Sequence, residues 1–503
     1  MKKFFKKSLL VLFAFCVALS FSACGAKISA TTVSVENVKA VNGQTTNGGV
    51  TTVYGEYLYF INGTKENDGK SSNNNKRSAI CRIKYDVNTG KTSGDAEVVV
   101  DDLVGYKNGS INFFGDFLYY ATPCADKNYK GDVLYNKVSF KRYDLVNKSS
   151  HVIYTTQQND SEESVKYAYY IVGNSLNLLV YESSVKTLSS LLIDSNVKTN
   201  YVISDVQECL FSENYGVCTN GETVDANSFV YYSKSPAEYD YYQTGSKIYK
   251  VAPNTNNSQL ISQGKSITLK AIKAGNLLFE YNSSVYAQTI TSSTTEMLVT
   301  DNLNCISRAV LENAIYLENY TLNGKDATAK LAKSQGNLCV LYFDSDNKYF
   351  VIFEWKRTGS PVEDNSTIIS YVDSATSFSF IGLTTLEEIV TEDDEATEEN
   401  EEVKRNVLFA IFSESSYVYK IEIAEVVDAN NLNVTQYSER VKMSTTKISD
   451  ASGLLVPEVI GNYAFVIAKE SEDDDAKEYL YQVDLTPTEN VTKEATKISI
   501  DEE

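Results

Sequence analysis

Few residues of this 503-residue chain have types and spacings suited to catalysis. The single histidine, His151, follows a strand-like run in the polar turn Asn147-Lys-Ser-Ser-His151. A His-based triad would depend on it alone, and no nucleophile elbow accompanies it. The sequence has no GxxxxGK[ST] and no helix-opening GxGxxG, so nucleotide chemistry has no support. Carboxylates abound, with 66 Asp and Glu, but which two would converge as a glycosidase-type pair depends on the fold. Two runs are densely acidic, TEDDEATEENEE at 391–402 and ESEDDD at 470–475. Calcium would need several of these oxygens on one ion, and a solvated, self-repelling loop is the simpler expectation. DSDNK at 344–348 lacks the glycine and closing glutamate of an EF-hand loop and reads as a turn. No metal site and no cofactor are expected.

Recognition chemistry has a better candidate. Most of the 36 tyrosines alternate within strand-like runs, as packing residues do, with hydroxyls expected at wet edges. The segment SKSPAEYDYYQTGSK at 233–247 breaks that pattern. It puts Tyr239, Tyr241 and Tyr242 on a Pro- and Gly-bounded loop beside Asp240 and Gln243. Flat rings next to hydrogen-bonding groups suit a sugar or an extended peptide, and rigid scaffolds commonly carry binding residues on loops. A loop folded back over its own rings is the alternative. The body cysteines Cys81, Cys124, Cys209, Cys218, Cys305 and Cys339 form no CxxC pair, which argues against zinc. Cys209 and Cys218 flank FSENYGV and could form a disulfide across a hairpin. Cys81 and Cys339 lie in apolar strand patterns and read as buried thiols.

The elements that would position these residues are strands. Short alternating runs rich in Tyr, Val, Ile and Phe recur between Asn, Gly, Ser and Asp, with almost no helical period. A two-strand unit repeats. Its first strand follows a Gly or Asn turn: Gly55-EYLYFI, Gly115-DFLYYA, Asn227-SFVYYS, Gly275-NLLFEY, Asn406-VLFAIF, Gly461-NYAFVI. Its second carries a basic residue among apolar ones, as in AICRIKYDVNTGK (79–91), VSFKRYDLVNK (138–148) and YLYQVDL (479–485). Weaker copies occupy 168–194, 313–343 and 348–382. A spacing of about 40–60 residues is that of four-stranded propeller blades. The unit resembles the blades of YWTD-type and DUF5050-like bacterial lipoprotein propellers, which implies a fold and little about function. The fold expected is all-β, a β-propeller of about eight four-stranded blades, with seven or nine also open. Tandem β-sandwiches are the alternative.

Residues 1–23 read as a leader. MKKFFKKS is cationic, and LLVLFAFCVALSF is apolar but too short to cross a bilayer as a permanent helix. Phe21-Ser22-Ala23-Cys24-Gly25 resembles the bacterial lipobox, with Phe21 in place of the usual Leu. The resemblance implies a diacylglyceryl thioether on Cys24 as the first mature residue. The domains expected are therefore the signal peptide at 1–23, a lipidated tether at 24–49 and the propeller at 50–500. Within the tether, TTVSVENVKAV (31–41) could pair near ATKISI (495–500) and close the ring. The formal charge of −20 falls further once the four lysines of the leader leave, so nucleic acid is excluded as a partner. The function expected is a non-enzymatic, lipid-anchored propeller on the extracytoplasmic face of a cell membrane, binding an envelope protein or glycan. A secreted carboxylate-dependent glycoside hydrolase or lyase is the second reading. A solute-binding lipoprotein is the third, opposed by the missing helices of its usual two α/β lobes.

Overall fold

The computed structural model describes residues 43–45, 49–64, 76–104, 110–123, 137–157, 165–193, 196–211, 217–218, 230–234 and 246–265. It continues with the strands between 267 and 373, then 378–393, 400–426, 432–434, 439–449, 457–471, 473 and 476–501. No helix forms among these residues, and the strands fall into eight sheets of three or more strands plus one short two-stranded ribbon. They are numbered here as blades in chain order. Blade 1 joins Thr51–Tyr54, Tyr57–Ile61, Ile80–Tyr85 and Thr92–Val100; blade 2 joins Asn112–Phe114, Phe117–Pro123, Val138–Asp144 and Ser149–Thr155. Blade 3 is Val165–Val172, Ser175–Glu182, Thr187–Ile193 and Lys198–Ile203; blade 4 is Val206–Leu210, Val230–Lys234, Ser246–Val251 and Gln259–Lys265. Blade 5 has three strands between 267 and 289, and blade 6 has six between 308 and 373. Blade 7 begins Phe378–Asp393, Asn400–Glu414, Tyr417–Val426, and blade 8 is Glu458–Ile460, Tyr463–Lys469, Glu478–Asp484 and Thr496–Lys497.

The chain is a β-propeller, and its blades depart from the four-strand expectation in instructive ways. The repeats at 313–343 and 348–382 share one sheet, because Leu338–Phe343 pairs directly with Tyr349–Glu354. Asn406 starts no strand, since it lies inside Asn400–Glu414 opposite Glu387. The acidic run 391–402 lies at the end of that hairpin: Thr391 pairs with Glu402 and Asp393 with Asn400.

Blade order alternates two faces. Connections between first and second strands, tight in blades 1, 2, 3, 5 and 8 as at Gly55 (φ +62°), define a turn face. Connections between second and third strands reach the opposite loop face, and those of blades 1, 2, 4 and 8 are long. Neighbouring blades keep this alignment. Tyr54 of blade 1 donates its hydroxyl to the Gly115 carbonyl in the corresponding turn of blade 2, and Thr384 of blade 7 bonds the Gly461 carbonyl of blade 8 at 2.7 Å.

Second strands are apolar almost throughout, as Tyr57–Ile61 and Ser175–Glu182 show, because a blade is covered on both sides. The core is thus a series of layers between blades. Phe140 and Tyr169 fill the layer between blades 2 and 3, and Leu179 and Tyr232 that between blades 3 and 4. Tyrosine hydroxyls, expected at wet edges, instead bridge blades. Tyr154 reaches Glu182 at 2.7 Å, Tyr181 the Gln207 carbonyl at 2.9 Å, and Tyr201 the Ala252 carbonyl at 2.9 Å.

The ring closes where blade 8 meets blade 1, which rules out separate sandwiches. Phe465, Ile467, Leu480 and Ile498 pack with Leu58, Phe60 and Ile80. Buried Asn62 takes the Ile500 N–H on Oδ1 at 2.9 Å and donates to the Ile500 carbonyl at 2.9 Å. Glu458 accepts from the Thr51 amide at 2.9 Å and hydroxyl at 2.7 Å. Residues 31–41, expected to share in closure, lie outside the described residues. The adjoining Gly43–Thr45 pairs with Asn112–Phe114 of blade 2. Thr496–Lys497 completes blade 8 against Tyr481 and Gln482.

Two predictions follow from this packing. Gly63 has φ +79°, and an added Cβ would lie 2.0 Å from the Glu478 carbonyl oxygen across the closure. Gly55 is equally left-handed but has open space around it. Gly55→Ala is expected to cost about 1 kcal/mol and Gly63→Ala about 3 kcal/mol or more, read as loss of stability in urea titrations. Similar losses for the two would show that the contact at the closure is not what matters. Asp144 caps the turn after Val138–Asp144, accepting from Val146 N at 2.9 Å and Asn147 N at 2.8 Å. Burial pushes its carboxyl up, but these bonds outweigh that and hold it below the usual carboxylate range. A depressed carboxyl contributes stability that is present above its unfolded pKa, near ~4, and is lost as pH falls through the folded value. Asp144→Ala should therefore cost about 1 kcal/mol at pH 7, with the gap to wild type narrowing below about pH 3.

Candidate ligand-binding site

The segment that links blade 7 to blade 8 is stitched to both. Met443 N bonds the Val418 carbonyl at 2.8 Å, and Ile448 N bonds the Ser416 carbonyl at 2.8 Å. On the other side Thr445 N reaches the Lys493 carbonyl at 3.0 Å and Ser449 N the Ile467 carbonyl at 2.9 Å. Met443 is buried in the layer between the blades, which fixes the segment's depth. Its residues Thr445 to Ser449, polar except for Ile448, form one wall of an open cleft of about 640 Å³.

The opposite walls come from the loop-face ends of the two blades. Blade 7 supplies the turn Ser415-Ser416, where both residues have positive φ (48° and 67°), and Tyr417 after it. Such a turn in residues other than glycine is held by its surroundings, here the bond from Ile448. Blade 8 supplies Lys469, Glu470, Glu478 and Tyr481. Glu478 also accepts a hydrogen bond from Thr64 of blade 1, so the cleft borders the ring closure.

Charge around the cleft is mixed and locally paired. Lys497 stands over the Tyr479 ring at 3.8 Å and 3.7 Å from Glu470, and it donates to Asp501. Burial works against its charge, but the Asp501 bond and neighbouring negative groups more than reverse this and hold its pKa above the ordinary value. Burial likewise raises the Tyr481 phenol, which stays a neutral donor at pH 7. Lys442 covers the Tyr417 ring at 3.4 Å. Phenols, small hydroxyls and ions of both signs along an open groove are equipped to hydrogen-bond a polyhydroxylated or amide-rich ligand. They form no single-signed field.

The two strands that flank the tyrosine segment end on the same face. Lys234 pairs with Lys247, so the loop connects the second and third strands of blade 4. Its residues Tyr239, Asp240, Tyr241, Tyr242 and Gln243 lie outside the described residues, as do Cys24 and DSDNK. Of the two acidic runs, 470–475 rims the cleft through Glu470, whereas 391–402 belongs to the turn-face end of blade 7. His151 is on the outer strand of blade 2, with Ser149 Oγ 3.4 Å from its Nε2. The nearby Asp144 is engaged by its own turn, so no triad assembles there. Among the described residues no cluster of metal-ligating side chains forms.

The hairpin proposed for Cys209 and Cys218 is not formed. Cys209 is in Val206–Leu210, which pairs with Val230–Lys234, whereas Val217–Cys218 pairs in parallel with Val165–Val172 of blade 3. Cys209 is a buried free thiol, as is Cys81.

No protein-family model and no curated protein matches the sequence. Solved structures do resemble the fold. An oligogalacturonate lyase in complex with manganese is 8% identical, with 89% of this chain and 97% of that chain covered and a TM-score of 0.31. The β-propeller domain of the trilobed protease from Pyrococcus furiosus is 9% identical, covering 77% and 93%, with a TM-score of 0.30. A prolyl endopeptidase is 9% identical with a TM-score of 0.36; the match covers 76% of this chain and only 48% of that one. At these identities no activity carries over to this chain.

The cleft was not legible as such, because Tyr417, Lys447, Glu478 and Tyr481 are separated by turns and strands that read as ordinary repeat. Burial pushes the thiols of Cys81 and Cys209 well above the ordinary range. Both should resist iodoacetamide at pH 8 in the folded protein and react on denaturation. Peptide mapping that finds either alkylated in the native state, or Cys209 in a disulfide, would contradict the placement.

Proposed function

We propose that this chain is a lipid-anchored, extracytoplasmic propeller that binds a protein or glycan partner at the cell envelope without transforming it. The observation that carries the reading is the cleft between blades 7 and 8, lined by two tyrosines and a series of hydroxyls. Aromatic faces and short polar groups on a rigid ring suit an extended, hydrogen-bonding ligand. The lipid-anchor part rests on the leader and on Cys24 in its lipobox-like setting. An all-β ring is a different architecture from the paired α/β lobes of a solute-capture protein.

One observation favours a second reading. Three glutamates, Glu470, Glu478 and Glu494, border the cleft, and carboxylates are the groups of a glycosidase or lyase.

A pull-down from solubilised envelopes, with residues 25–503 as bait, addresses both readings. Wild type is expected to retain a specific protein or glycan. The double variant Tyr417→Ala, Tyr481→Ala should retain about tenfold less, as loss of aromatic anchors does. Retention unaffected by that variant would remove the cleft from the proposal. Turnover of the captured polysaccharide would put catalysis in place of binding.

A further inference from the structure

We infer that the anchored ring stands with its turn face toward the membrane and its loop face, with the cleft, outward. This rests on the reading of Cys24 as the lipidated residue. The decisive element is the strand Gly43–Thr45, which adds to the free edge of the first strand of blade 2. In a propeller that edge faces the axis, so the chain enters the body along the inside of the ring. Its direction is fixed by register. The pairing is antiparallel, with Gly43 opposite Phe114 and Thr45 opposite Asn112. Phe114 immediately precedes the turn Gly115-Asp116, a turn-face feature. The chain therefore arrives at Gly43 from the turn face and leaves Thr45 toward the loop face, where blade 1 begins at Thr51.

Nineteen residues, 24–42, separate the anchor from this point of entry. Nineteen residues reach at most roughly 65 Å when fully extended. That length lets the ring stand off the bilayer by its turn face without wrapping the tether around the rim. The first two strands of blade 7 project on the same side. Beyond Leu386, the last residue of that strand in the core, seven register pairs run from Glu387–Asn406 to Asp393–Asn400, a rise of roughly 20 Å. The acidic run 391–402 lies at the end of this arm. In this orientation the cleft is presented to partners beyond the membrane.

Energy transfer from the full-length acylated protein to headgroup-labelled acceptor lipids tests the orientation. The vesicles contain phosphatidylglycerol and phosphatidylethanolamine. A donor dye is coupled to an azido amino acid in place of exposed Glu56 on the turn face or, in a second sample, of exposed Val185 on the loop face. Transfer from position 56 is expected to exceed that from position 185 several-fold, since a strand length of roughly 20 Å separates the faces. Equal or reversed efficiencies on vesicle-bound protein that carries the diacylglyceryl group on Cys24 would overturn the orientation alone. Mass spectrometry showing Cys24 unmodified in protein recovered from membranes would overturn the anchor and the orientation with it.

Discussion

Everything in this structure depends on a sheet that has two apolar faces. A blade such as Val165–Val172 to Lys198–Ile203 buries one face against blade 2 and the other against blade 4. Neither face can be left to water without exposing residues such as Leu178 and Leu179, which are fully buried and point to opposite sides. Stacking solves this for every blade except the first and last, which must find each other. That meeting is made by Phe465 and Leu480 against Leu58 and Phe60, and by buried Asn62 holding both backbone groups of Ile500. The closure is held by packing and side-chain bonds between complete blades, with Thr51–Tyr54 and Thr496–Lys497 each in its own sheet.

The same constraint explains the tyrosines. A layer between twisted sheets is wide, and rings fill it, as the Tyr54–Phe113 stack at 4.2 Å shows. Phenylalanine would fill it equally well. The hydroxyl adds a reach to the next blade that aliphatic packing cannot provide. Tyr120 donates to Asp102 at 2.5 Å, and that carboxylate also holds Lys141 at 2.9 Å. A buried acceptor of this kind is costly if its donor is lost, so these bonds set the alignment of blades as well as their separation.

The cleft arises at a seam where that regular stacking is interrupted. Blades 7 and 8 are joined by a long segment whose bonds to Ser416, Ile467 and Lys493 hold it between their loop-face ends, where it forms one wall of the groove. Two left-handed serines at the neighbouring turn are kept in place by this segment. Binding groups thus stand on a support fixed from both sides, where small displacements are resisted by two blades at once.

The all-β class, the repeat and its tally near eight were legible in the sequence because strand periodicity and turn chemistry are local. Gly55, Gly115 and Gly461 mark turns whatever surrounds them. The same locality accounts for the errors. Asn406 has the look of a turn residue, yet pairing with Glu387 carries the strand through it. Cys209 and Cys218 are close in sequence, yet each strand finds a partner in a different blade. By itself the sequence determined which residues form strands and that those strands need cover on both sides. Only the tertiary structure decided which edges and faces meet: the closure at Asn62, the phenol bridges and the cleft between blades 7 and 8. The physical reason is that burial and hydrogen bonding between blades join residues up to 438 positions apart, a distance over which no local pattern carries information.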